Sequence, residues 1–390
     1  MKIKDIVILC GGKGSRLGSI TKKIPKPLLK FYRIEFIQYL INYYLKFGIN
    51  NIYLLAGYKG YFFKKKFHNK IFNLSKIHVI IEKKPLGTGG ALRLLKKKIG
   101  SNFLLLNGDS FCNFNQSVLF KKFSNLAKIF LIKNKVYKTN KLLTSLDVYK
   151  KKIIFKKSNL MNSGIYLLNS KFLNKIDKKF SSLETDILPK LIKKKQIEGE
   201  IVNSKFIDIG TKKNFARTEK FIRSFCLKPA AFLDRDGVLN YDYGHVYKYS
   251  NFHWKPGVLK ALKFLNQKGY YIFLITNQSG IGRGYYSQND FLKLYKKINT
   301  FLIQRKIFIN DMEFCPHHPE EGKGKYKTKC KCRKPNTGMI DNLKKRWLID
   351  EKKSFMIGDS LSDKICAQKS NLNFFYTKGN LFKLVKKIIS

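Results

Sequence analysis

Short apolar runs rich in β-branched residues alternate along the chain with longer stretches whose apolar positions recur at helical spacing. In the first half this pattern predicts strands at Ile3–Leu9, Asn51–Ala56, Ile77–Ile81 and Phe103–Leu106, with helices between them such as Phe36–Phe47. In the second half Ala230–Leu233, Tyr271–Ile275 and Ser354–Ile357 read as comparable buried strands, again with helices between. Such alternation predicts the α/β class, with two doubly wound, Rossmann-like domains on mostly parallel sheets. A helix predicted over Thr218–Lys228 stops at Pro229, which cannot continue it. The boundary is therefore expected near residue 226, giving domains 1–225 and 226–390. A length of 390 residues suits two cores better than one, and no internal repeat is visible.

Charge adds a question to this picture. The chain carries 79 Lys and Arg against 25 Asp and Glu, a formal net charge of +54. Alone, that excess would suggest a nucleic-acid or anionic-surface partner. The lysines are spread over the whole chain, in runs such as Lys64–Lys66, Lys96–Lys98 and Lys193–Lys195. They accompany abundant Ile, Asn, Phe and Tyr, the composition of an AT-biased coding sequence. No specific nucleic-acid partner is expected, although the charge would concentrate anionic substrates. Apolar residues make up 44%, enough for a core in each half. Of seven cysteines, three lie near two histidines, which favours a reduced compartment and a metal over disulfides. The apolar run before Gly11 is too short for a signal peptide, and no stretch approaches the ~18 apolar residues of a membrane helix. A cytoplasmic enzyme without a membrane partner is expected; nothing in the sequence bears on its oligomeric state.

Cys10-Gly11-Gly12-Lys13-Gly14-Ser15-Arg16-Leu17 follows the first predicted strand. Glycines at 11, 12 and 14 let backbone amides approach a triphosphate, and Arg16 can fork onto phosphate oxygens. A glycine turn alone is weak evidence. Ile24-Pro25-Lys26-Pro27-Leu28, in which two prolines stiffen the backbone around one lysine, strengthens it. Together the two segments resemble the signature of sugar-1-phosphate nucleotidyltransferases. The resemblance extends through Pro85–Ala91, with Gly87, Thr88 and Gly89 in the family's base-contacting turn, and Asn107-Gly108-Asp109-Ser110. It continues through Asn162-Ser163-Gly164 on the sugar-binding strand, the sugar-contacting Glu184, and Asp208 in Phe206–Thr211. It implies attack of a sugar 1-phosphate oxygen on the α-phosphorus of a nucleoside triphosphate, with pyrophosphate leaving. Asp109 and Asp208 are then the expected Mg²⁺ ligands, and Arg16 and Lys26 the neutralising cations. One departure stands out. The family carries Glu-Lys where this chain has Lys156-Lys157, and the connection from Lys133 to Leu160 is abbreviated. A phosphatase with a weakened transferase is therefore one alternative reading.

Phe232-Leu233-Asp234-Arg235-Asp236-Gly237 delivers two carboxylates, two residues apart, from an apolar strand into a glycine turn. Alternation puts both on one side, where one can attack phosphorus and the other handle a proton. This resembles motif one of the haloacid dehalogenase phosphatases, which makes Asp234 the nucleophile and Asp236 the acid and base. The resemblance carries Thr276 and Asn277 to the phosphate, Arg333 and Lys334 to the substrate's charge, and Asp234, Asp236 and Asp359 to Mg²⁺. Asp363 is expected to support the Asp359 loop. Cys315-Pro316-His317-His318 and Cys330-Lys331-Cys332 offer four ligands, the count of a closed structural Zn²⁺ site, with His317 better spaced than His318.

Over residues 228–378 these motifs resemble the heptose 1,7-bisphosphate 7-phosphatases and, less closely, the histidinol phosphatases. The first half resembles the heptose 1-phosphate guanylyltransferases. Together they imply removal of the 7-phosphate from heptose 1,7-bisphosphate, then transfer of GMP from GTP to heptose 1-phosphate. The alternatives are a histidinol phosphatase or a basic nucleic-acid-binding protein on decayed enzyme folds.

Overall fold

The computed structural model describes residues 3–114, 118–119, 121–133, 146–177 and 179–389. The first half is built on a ten-stranded sheet. Four of its strands, Phe103–Asn107, Asp5–Cys10, Asn51–Ala56 and Ser75–Ile81, lie adjacent in that order and run parallel. Side chains alternate between two cores: Ile6, Ile8, Leu104 and Leu106 enter one, Val7, Leu55, Leu105 and Phe103 the other. Helices cover both faces, which is why these strands are apolar throughout.

The expectation of a mostly parallel sheet needs correction on the other side. Leu160–Leu168 runs antiparallel to both of its neighbours, Phe103–Asn107 and Ala127–Lys133; beyond these Ile197–Val202 pairs parallel with Ala127–Lys133, and two antiparallel pairings then carry the sheet through Lys152–Phe155 to Leu146–Tyr149. The sheet is mixed. Residues 134–145 of the connection read as abbreviated lie outside the described residues.

The second half is a five-stranded, wholly parallel sheet in the order Asp311–Cys315, Tyr271–Asn277, Ala230–Leu233, Phe355–Gly358, Asn373–Tyr376. Before it, the predicted helix at Thr218–Lys228 spans Lys212–Cys226 instead. Thr211 caps it by accepting a hydrogen bond from the Asn214 amide (3.2 Å), so the helix begins a turn and a half earlier than its apolar pattern suggests.

The two halves share one continuous core, in which Phe47 and Ile49 join Tyr271, Phe273 and Trp347. Polar contacts lock the seam. The Asn73 amide donates to the carbonyls of Ile309 and Asn310 (both 3.2 Å), and the Tyr295 hydroxyl donates to Asn73 Oδ1 (2.7 Å). Among the described residues no helix is long and apolar enough to cross a membrane.

Candidate active sites

The four parallel strands of the first sheet end at one edge, and the loops leaving them enclose a cavity of about 540 Å³. Its walls include Gly11, Gly12, Lys26, Glu82, Gly87, Thr88 and Asp109. Gly87 has φ +74°, and a Cβ there would collide with the Ser181 carbonyl, so only glycine makes this turn. Lys26 is buried, and its Nζ lies 2.5 Å from Asp109 Oδ2. Asp208 reaches the same place because its strand pairs antiparallel with Ser110–Asn113, setting Asp208 opposite Ser110. Burial, then the charge of Asp109, raises the Asp208 pKa against the pull of Lys26 and Arg16. Two converging carboxylates of which one is held partly against its charge suit a divalent cation.

The remaining expected residues divide. Thr88 Oγ1 donates to Glu184 (2.8 Å), and Asn162 Nδ2 donates to the Tyr166 hydroxyl (2.8 Å). Glu184 also acts on buried Tyr166, so the two expected sugar contacts form one cluster. Gly14, at φ +67°, packs beside Thr21 and Lys26 rather than lining the cavity. The Gly89 amide donates to Ser181 O (2.9 Å), and a Cβ on Gly89 would meet Ile187 and Ser181, so this glycine packs the turn against the Ser181 segment. Lys156 and Lys157 are exposed just beyond the strand Lys152–Phe155.

Glu82 escaped the sequence reading because it belongs to no motif quoted there. It sits one residue past Ser75–Ile81, at the carboxyl end of a parallel strand where ligands gather. Its Oε2 accepts the Leu86 amide (3.1 Å), and burial raises its pKa.

In the second half Asp234 follows its strand and is largely buried beside Lys334, whose Nζ lies 2.9 Å from Asp234 Oδ1 and 2.6 Å from Asp363 Oδ1. Burial pulls the Lys334 ammonium down, but Asp234 and Asp363 outweigh it and its pKa is raised. Asp234, Asp359 and Asp363 present oxygens within 4.8 Å of one another, a set that could hold a metal ion. Burial raises both Asp234 and Asp359, as expected of carboxylates gathered for a cation. Gly237, at φ +74°, lets the turn pass Asp359, whose carboxylate a Cβ would strike. Asp363 also accepts the amides of Asp359 (3.2 Å) and Ser360 (3.1 Å), holding the loop.

Two expectations change here. The Asp236 carboxylate is not in the metal group. Arg235 grips both its oxygens (2.7–3.1 Å), and Asn240 and Gln278 donate to it at 3.0 and 2.9 Å. Asn277, expected on the phosphate, instead clasps the Lys334 main chain in both directions (3.0 and 3.1 Å). Thr276 lies buried at the strand end and accepts from Gln278 Nε2 (2.9 Å). Gln278 and Arg235 were missed as site residues, since nothing in their spacing reveals that they clasp Asp236.

Cys315, His317, Cys330 and Cys332 form a second candidate metal group. Their sulfur and Nδ1 atoms stand 3.2–3.5 Å apart in five pairs. Four donors about 2.3 Å from one tetrahedral ion would lie roughly 3.8 Å apart, close to this spacing. Hydrogen bonds from Cys315 first, then Cys330 and His317, pull the Cys332 thiol well below its usual range despite burial. His318 is turned elsewhere, accepting from the Glu320 and Glu321 amides. Arg333 Nη1 donates to His317 O (3.2 Å), tying the cluster to the segment that leads into Lys334.

A family model described as nucleotidyl transferase matches residues 5–142, and one described as polynucleotide kinase 3 phosphatase matches residues 237–379. The D-glycero-beta-D-manno-heptose-1,7-bisphosphate 7-phosphatase of Rhodopseudomonas palustris is 42% identical over 163 residues, covering 42% of this chain and 91% of that protein. The Escherichia coli K12 protein of the same name is 37% identical over 144 residues, 37% of this chain and 75% of its own length. Among solved structures, HddC from Yersinia pseudotuberculosis is 29% identical with a TM-score of 0.47, covering 56% of this chain and 100% of that one. Through its second half the chain belongs to the D-glycero-beta-D-manno-heptose-1,7-bisphosphate 7-phosphatase family, with a nucleotidyl transferase domain fused ahead of it.

Proposed function

We propose that the chain removes the 7-phosphate of D-glycero-D-manno-heptose 1,7-bisphosphate and then joins a nucleotidyl group, GMP from GTP, to the resulting heptose 1-phosphate. The observation that carries this is the Asp234–Lys334–Asp359–Asp363 constellation at one strand edge, in a chain that carries a second, carboxylate-and-lysine site at Lys26, Asp109 and Asp208. The first site's product is a sugar 1-phosphate, the class of nucleophile the second requires.

In the phosphatase half, Asp234 attacks the 7-phosphorus and holds the phosphoryl group as an acyl phosphate. Lys334 neutralises the charge gathered there, and the Thr276 hydroxyl donates to a phosphoryl oxygen. Asp236 protonates the departing sugar oxygen, then takes a proton from the hydrolytic water, after swinging out of the Arg235 clasp. Mg²⁺ held by Asp234 and Asp359 would supply charge neutralisation and alignment. In the transferase half, Lys26 and Arg16 neutralise the phosphates, and Asp109 with Asp208 would hold Mg²⁺. Domain limits at 1–225 and 226–390 fit this division, since the helix Lys212–Cys226 ends just before the strand Ala230–Leu233 begins.

Guanine is favoured by Glu82. A carboxylate on the cavity wall accepts hydrogen bonds only, and guanine's base edge offers N1–H and N2–H₂ side by side, where uracil and thymine offer a single N–H flanked by carbonyls. Glu82→Gln is expected to lower kcat/KM for GTP by ~10-fold or more while sparing UTP and dTTP, because a lost charge-assisted contact is worth about 1.5–3 kcal/mol. Equal losses for all three nucleotides in a pyrophosphate-release assay would remove Glu82 from base choice.

The Cys315–His317–Cys330–Cys332 cluster would hold structural Zn²⁺, since all four positions are taken by protein. Cys330→Ser is expected to lower Tm by on the order of 10 °C and to lower phosphate release, because the cluster leads directly into Arg333 and Lys334. Metal analysis reads the same variant: one zinc per chain in the parent and none in Cys330→Ser is expected.

Phosphate release from the α- and β-anomers of the bisphosphate, set against histidinol phosphate, tests the substrate assignment. Turnover of histidinol phosphate with neither anomer cleaved would overturn it.

A further inference from the structure

Lys46 and Lys228 meet at the seam between the two halves, away from both active sites. Together with Tyr271 and Asn310 they line two neighbouring cavities of about 160 and 340 Å³. No Asp or Glu lines either cavity, while Lys263 and Lys306 stand on the wall of the larger one. The Lys46 ammonium rests over the rings of Phe47, Tyr43 and Phe308 at 5.2–5.7 Å, and that of Lys228 lies 5.6 Å over Tyr271. Among the described residues no carboxylate is paired with either cation, where another seam charge is matched. Arg346, nearby, is paired with Asp311 (2.8 Å) and Glu313 (2.7 Å).

Such an arrangement costs stability as it stands. Burial, then the charge of Lys228, lowers the Lys46 pKa to about 8, and among the described residues no carboxylate acts on either lysine to oppose this. Most lysines of this chain are solvated, so their number alone says nothing; these two are half-buried and set against each other. Hydrogen-bond donors complete the wall. Asn310 Oδ1 accepts the Ile272 amide (2.9 Å) and Asn113 Oδ1 accepts the Tyr43 hydroxyl (3.0 Å), which leaves the NH₂ end of each side chain to donate.

We propose that the seam binds a compact phosphate-class oxyanion between Lys46 and Lys228. The smaller cavity suits inorganic phosphate or pyrophosphate better than a nucleotide, and a dianion would offset both ammonium charges at once. Because Lys46 belongs to the first half and Lys228 leads into the second, the bound anion ties the halves together. This binding does not depend on the substrates assigned to either active site.

Thermal melting of the full chain in EDTA, with phosphate or pyrophosphate against chloride at matched ionic strength, tests the site. Both active sites are unchanged in Lys46→Met/Lys228→Met, so the difference between parent and variant reads the seam. The parent is expected to gain several degrees in one of the two anions and the variant to lose most of that gain. A larger gain with pyrophosphate would assign the site to that ion, and a larger gain with phosphate to the other. Equal gains in parent and variant would overturn the proposal. Should the double variant fail to fold, a crystal of the parent grown with the favoured anion decides: density between Lys46 and Lys228 supports the site, and density at the active sites alone overturns it.

Discussion

Asp234→Asn is expected to lower phosphate release by on the order of 10⁴-fold or more, because no other group can form the phosphoenzyme bond. Asp234 stands at the carboxyl end of its strand, pairs with Lys334 and belongs to the carboxylate group with Asp359 and Asp363, whereas Asp363, the other partner of Lys334, is taken up by the amides of its own loop. Nucleotidyl transfer should be unchanged, since its residues converge on a different sheet. The same variant separates activity from stability. Burial raises the Asp234 pKa, opposed by Lys334 and reinforced by Asp363. A carboxylate raised in the folded state contributes stability below its unfolded pKa and loses it as pH rises through the folded one. In metal-free buffer at neutral pH the neutral amide is therefore expected to melt no lower than the parent. A marked fall in Tm would mean that the site depends on the Asp234 charge for folding.

Lys26→Ala is expected to cost the other activity on the order of 10²–10³-fold, the effect of removing one preorganised charge from a transferring phosphate. Unlike Asp234, it should also destabilise. Lys26 is buried and is paired at 2.5 Å with the more exposed Asp109, and removing it leaves Asp109 and Asp208 facing each other with Arg16 as the remaining neighbouring cation. A loss of about 2 kcal/mol is anticipated, discounted from a fully buried pair for the exposure of Asp109. Pyrophosphate release and denaturant unfolding measure the two effects, and phosphate release serves as the unchanged control.

The parallel strands were legible because burial on both faces leaves them as unbroken apolar runs, as at Phe103–Asn107 and Tyr271–Asn277. Their direction was not. Leu160–Leu168 reads as the same kind of segment, yet its antiparallel pairing depends on the connection preceding it, which period alone does not reveal. The Lys212–Cys226 helix was shortened in the reading because its first turn, Lys212-Lys213-Asn214, is polar and its cap, Thr211, had been absorbed into the Asp208 motif.

The sites followed the same logic. Asp109, Asp234 and Asp359 each follow the carboxyl end of a strand within a recognisable turn, so local sequence places them. Asp236 was legible as a residue but not in its orientation, which the clasp of its neighbours Arg235 and Asn240 and the distant Gln278 sets. Glu82 met the same strand-end criterion but stood among lysines with no glycine turn to mark it.

The central claim, two consecutive steps on one chain, is tested most directly by phosphorus NMR of the full chain with heptose 1,7-bisphosphate, GTP and Mg²⁺ in one tube. The predicted record is loss of the 7-phosphate, then coupled growth of a GDP-sugar and pyrophosphate, with heptose 1-phosphate passing through as an intermediate. A GDP-sugar that forms while the 7-phosphate is still attached, or no phosphate release from either anomer, would contradict it.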